Sequence, residues 1–88
     1  MISKSYIITA PEGIHARPAT ALIRLTKKYK SVVSLKKDDN LIRLNSMLNI
    51  LAIGAKGGES ITVIIEGEDE VDAAAAIDTF FAEELKNL

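Results

Sequence analysis

The chain has 88 residues, a formal net charge of −1, no cysteine and one histidine. That is the length of a single domain, residues 1–88, with 48% apolar residues to build its core. It excludes a disulfide framework, thiolate or histidine-rich metal centres, and the overall basic field that draws nucleic acid, while carboxylate-based cation binding stays open.

From the amino end, Lys4 to Thr9 is rich in β-branched and aromatic residues and stops at Ala10-Pro11-Glu12-Gly13. This predicts a first strand with Tyr6 and Ile8 on one face, followed by a loop. Pro18 is tolerated in the first turn of a helix, where its missing N–H needs no intrahelical partner. From Pro18 onward Ala19, Leu22, Ile23 and Thr26 recur at helical spacing. Arg24, Lys27 and Lys28 lie off that stripe, where they complement the negative helix end.

Val32 to Lys37 reads as a second strand with Val33 and Leu35 inward. The turn cluster Lys37-Asp38-Asp39-Asn40 leads to a short third strand, Leu41 to Leu44, closing a hairpin. Ser46 and Gly54 bracket the apolar stretch Met47 to Ile53 as the caps of about two helical turns. After Gly57-Gly58, Ile61, Val63 and Ile65 alternate with Thr62 and Ile64 in a fourth strand whose two faces are both fairly apolar. Asp69 is expected to cap the last helix, with Glu70 and Asp72 in its first turn and Ala74, Ile77, Phe81 and Leu85 as its buried stripe.

The order βαββαβα predicts an α+β open-faced β-sandwich, a four-stranded antiparallel sheet with three helices on one face. No export signal precedes the first strand, and the apolar runs fall short of the roughly 20 residues that span a bilayer. The expectation is a cytoplasmic protein without direct membrane insertion.

The segment Gly13-Ile14-His15-Ala16-Arg17-Pro18-Ala19 carries the chemistry. It puts His15 just before or at the start of a helix, where backbone N–H groups lack intrahelical acceptors and the positive helix end favours anions. A neutral imidazole offers a lone pair to an electrophile. Arg17 brings a planar fork of donors suited to phosphate oxygens. Small Ala16 and Ala19 leave room for a partner to approach. Residue chemistry alone leaves plain anion binding open. One histidine and no cysteine leave little machinery for independent catalysis, and nothing calls for a cofactor.

That segment resembles the phosphohistidine signature of the HPr family, the histidine-containing phosphocarriers of the bacterial phosphoenolpyruvate-dependent sugar phosphotransferase system. Length, element order, histidine position and the Ser46 helix fit the same family. The resemblance implies a relay. Enzyme I, phosphorylated from phosphoenolpyruvate, would pass phosphate to Nδ1 of His15, and a sugar-specific A domain of a permease would accept it. Arg17 would steady the phosphoryl group.

Ser46 has two readings. Its hydroxyl is a favoured N-cap. In many HPr proteins the matching serine is a regulatory phosphorylation site for an ATP-dependent HPr kinase/phosphorylase, and a phosphate of about −2 charge is favoured at a helix N-terminus. The docking surface is expected at Ala16, Thr20, Arg24, Lys27, Met47, Leu48 and Leu51, with Ile50 and Ile53 in the core. Three positions depart from the common family pattern: Glu12 before Gly13, Asn45 before Ser46, and Asn49 within the run Leu48 to Ile53.

The alternative is a regulatory binding module controlled at Ser46, docking to a transcriptional regulator, with sugar transport secondary. A nucleic-acid-binding role is disfavoured. The aromatics are only Tyr6, Tyr29, Phe80 and Phe81, and the two phenylalanines fall in a helix rather than on a stacking platform. The chain is expected to act as a monomer.

Overall fold

A computed structural model describes all residues from Met1 to Leu88. The elements are β1 (Ile2–Ile7), α1 (Ala16–Thr26), β2 (Val32–Lys37), β3 (Asn40–Arg43), α2 (Met47–Ile53), β4 (Ser60–Glu66) and α3 (Glu70–Thr79). The helical path of α3 continues through a wider π-type turn, Phe80–Glu84, and a 3₁₀ turn, Leu85–Asn87. The strands form one sheet in the order β1-β4-β2-β3, with every neighbouring pair antiparallel. This is the α+β open-faced sandwich with the βαββαβα order.

Strand alternation decides which face the helices cover. In β4, Ile61, Val63 and Ile65 are buried, while Thr62 and Ile64 between them are half-buried on the other face. Val33 and Leu35 of β2 join the buried set, as do Ala19 and Leu22 of α1, Ile50 and Ile53 of α2, and Ala73, Ala74 and Ile77 of α3. Each buried isoleucine or leucine stabilises the fold by roughly 1.5–3 kcal/mol relative to exposure. On the open face Ser5 and Thr62 share a hydrogen bond of 3.0 Å.

Several boundaries differ from those expected. The first strand runs from Ile2 to Ile7, not Lys4 to Thr9, because its ladder with β4 begins at the pair Ile2–Ile65. Ile8 still faces the core one residue beyond the strand, tied by its N–H to Glu59 O at 2.8 Å. The first helix begins at Ala16, two residues before Pro18, which sits inside its first turn without losing a bond.

Asp69 occupies the N-cap position of α3 but makes no capping bond with its side chain. Its carboxylate instead accepts the Lys30 N–H at 2.8 Å and the Ser31 N–H at 2.9 Å, together with the Ser31 hydroxyl. Those donors hold its carboxyl below the usual aspartate range, the Ser31 hydroxyl most and the Lys30 N–H next. The local pattern suggested a cap. A loop 38 residues away in sequence offered better donors. At the other end of the sheet, Tyr6 stacks on Phe81 with ring centroids 4.4 Å apart and donates its hydroxyl to Asp78, which also accepts from Lys4 at 2.7 Å.

Candidate functional site

The loop before α1 is shaped by backbone approach. Gly13 N–H closes a turn onto Ala10 O at 2.9 Å, and Gly13 itself has φ +75. A Cβ there would lie 2.2 Å from Ala55 O, so only glycine fits. Ile14 N–H then bonds Ala55 O at 3.0 Å, and the Ile14 side chain is buried. The residue after it is therefore held between an anchored loop and a helix start.

That residue is His15, the N-cap of α1, with extended backbone and no capping bond from its side chain. Its carbonyl accepts the Ala19 N–H at 3.0 Å, which leaves the Ala16 and Arg17 N–H groups without an intrahelical acceptor. Its side chain is 30% accessible, but Nε2 is buried and lacks a hydrogen-bond partner. A carboxylate oxygen, Glu12 Oε2, lies 3.4 Å from Nε2. Nδ1 makes no hydrogen bond and is not among the buried unpartnered atoms, so it is the ring nitrogen in contact with solvent.

Arg17 is exposed on the first turn and makes no ion pair, so its guanidinium is free. It lines a shallow hollow of about 340 Å³ with Ala16, Thr20, Ala21, Arg24 and Leu88. The hollow gathers four of the expected residues, namely Ala16, Arg17, Thr20 and Arg24. Lys27 lies elsewhere, in a cleft with Lys30, Arg43 and Asn45. Ala21 and Leu88 were not legible as walls of the hollow, because nothing local tells a chain end where it will pack.

Ser46 caps α2, accepting the Asn49 N–H at 3.4 Å, and Gly54 ends the helix in the left-handed conformation with φ 67. As expected, Ile50 and Ile53 are buried, whereas Leu48 and Leu51 are exposed. Met47 is half-buried with its sulfur beside Thr20. Two residues past the end of that helix, the Ala55 carbonyl anchors the loop before His15, so the chain leaving α2 and the chain entering the histidine are tied together. No helix is long and apolar enough to cross a membrane.

The family model described as the PTS HPr component phosphorylation site matches residues 2–83. The chain belongs to the HPr family. Among solved structures, HPr from Thermoanaerobacter tengcongensis is 26% identical with a TM-score of 0.90, covering 97% of this chain and 96% of that one. The histidine-containing phosphocarrier protein of a mycoplasma is 30% identical with a TM-score of 0.89, covering 97% of each chain. Crh of Bacillus subtilis, a catabolite repression protein described as a domain-swapped dimer, is 26% identical with a TM-score of 0.75, over 97% of this chain and 98% of that one. The chain is thus an HPr-type phosphocarrier domain of the sugar phosphotransferase system, a carrier and not an enzyme.

Proposed function

We propose that this HPr-family chain accepts a phosphoryl group on Nδ1 of His15 from phosphorylated enzyme I and passes it to the A domains of sugar permeases. The observation that carries the reading is the asymmetry of the ring: Nε2 is buried, and Nδ1 is the nitrogen that an incoming phosphorus can meet. In the acceptor step the Nδ1 lone pair bonds to phosphorus while the bond from phosphorus to its enzyme I carrier breaks. The free Ala16 and Arg17 N–H groups and the unpaired Arg17 guanidinium supply donors for the phosphoryl oxygens. Each bond-breaking step is catalysed by the partner, and the hollow beside Arg17 with the exposed Leu48 and Leu51 gives that partner a surface. On this reading residues 1–88 act as one monomeric domain in the cytoplasm.

Incubation with enzyme I and phosphoenolpyruvate tests it. The chain is expected to gain an acid-labile, base-stable phosphate that His15→Ala abolishes. An unlabelled wild-type chain overturns the proposal.

The likeness to Crh favours a second reading, a regulatory module in which HPr kinase/phosphorylase modifies Ser46 and a transcriptional regulator docks on α2. In that case His15→Ala leaves partner binding intact, whereas Ser46→Ala removes the response to the kinase. Loss of binding on His15→Ala would exclude it.

A further inference from the structure

We infer that Glu12 is a positioning residue for His15: its carboxylate accepts the Nε2–H of the ring, which keeps the Nδ1 lone pair free for phosphorus. The inference rests on the reading of His15 Nδ1 as the phosphoryl acceptor. It starts from an unbalanced group. Nε2 is shielded from solvent and has no hydrogen-bond partner in the folded chain. A buried ring nitrogen left unpaired is costly, and water cannot compensate for it here.

One group is placed to correct this. Glu12 Oε2 lies 3.4 Å from Nε2, short of a well-formed hydrogen bond but within a small side-chain rotation of one. The Glu12 side chain is 80% exposed and pairs with no lysine or arginine, so nothing else holds it. Its backbone is fixed, because the turn from Ala10 to Gly13 and the Gly13–Ala55 contact carry Glu12 back over the start of α1.

A carboxylate only accepts, so the proton it engages must sit on Nε2. That selects the tautomer whose lone pair is on Nδ1. As Nδ1 bonds to phosphorus the ring gains positive charge, and the Nε2–H···carboxylate bond becomes charge-assisted. In onward transfer the ring departs as neutral imidazole with its proton already on Nε2, so no proton has to be found. Glu12 faces Nε2, on the far side of the imidazole from the phosphoryl group. Its charge therefore acts mainly on the ring rather than against the phosphate.

The test compares wild type, Glu12→Gln and Glu12→Ala by ¹⁵N spectra of the neutral His15 ring and by the rate of phosphorylation with potassium phosphoramidate. This small donor removes partner docking from the measurement. The Nδ1–P bond forms as the P–N bond of phosphoramidate breaks and ammonia leaves. Glutamine keeps an acceptor oxygen without the charge. It should preserve the Nε2–H tautomer but slow the reaction about fivefold, the upper end for an exposed charge pair.

Alanine should raise the Nδ1–H tautomer several-fold and react more slowly than glutamine. Unchanged spectra and rates in Glu12→Ala, with Nδ1 phosphorylated in wild type, overturn this inference alone. A wild-type chain that takes no phosphate on Nδ1 removes the carrier reading and this inference with it.

Discussion

Thr20 and Met47 join the two helices of the candidate site: Thr20 Oγ1 lies 3.4 Å from Met47 Sδ while donating its proton to the Ala16 carbonyl at 2.8 Å. Ala16 follows His15, and Met47 follows Ser46. One contact therefore couples the start of α2 to the helix turn that follows the histidine. On the proposed regulatory reading, a phosphate at Ser46 would stand beside this contact, which would give it a physical route to the start of α1.

Gly13→Ala should destabilise the protein by at least ~1–3 kcal/mol, the range for a strained backbone residue. The added Cβ would meet Ala55 O at 2.2 Å, and φ +75 disfavours any side chain. Urea unfolding checks the stability. Because Ile14 and His15 are held by the same anchor, phosphorylation by enzyme I should slow even in protein that remains folded.

Arg17→Ala should leave the thermal midpoint within error, since the side chain is exposed and makes no ion pair. It should slow phosphoryl transfer by about tenfold to a hundredfold, the scale for losing one donor to a developing anion. Arg17→Lys should recover only part of that rate, because a point charge cannot form two parallel bonds to phosphate. Rapid-quench kinetics with enzyme I give both numbers.

Leu48→Lys and Ile50→Ala separate docking from packing on one helix. Leu48 is 77% exposed, so its replacement should change stability by no more than about 0.5 kcal/mol while weakening transfer to or from a partner. Ile50 is fully buried, and its truncation should cost about 2–5 kcal/mol. Chemical denaturation beside a transfer assay distinguishes them.

Asp69→Asn should make stability less dependent on pH in acid. The Ser31 hydroxyl and the Lys30 N–H hold the native carboxyl below its unfolded value. Its contribution is therefore present above the ordinary carboxylate range, near pH ~4, and is lost as pH falls through the lower native value. The gap between wild type and variant should be widest at neutral pH and close toward acid. Thermal melts across that range read it directly.

The elements and the candidate residue His15 were legible because their signals are local. Helical and strand periodicity, the caps Ser46 and Gly54, and the Gly13–Pro18 segment each act within a few residues, so the βαββαβα order and the place of His15 at a helix start follow from sequence alone, whereas the choice between the two apolar faces of β4 waited for the helices that cover one of them. Tertiary structure decided what depends on distant partners. Asp69 left its cap for donors at Lys30 and Ser31, Lys27 parted from the hollow that holds Arg17, and Leu88 returned to wall it. Which ring nitrogen of His15 meets solvent belongs to the same class. Nε2 is buried only in the folded chain, where the residue before His15 bonds Ala55 O across 41 residues, a contact that no local pattern encodes.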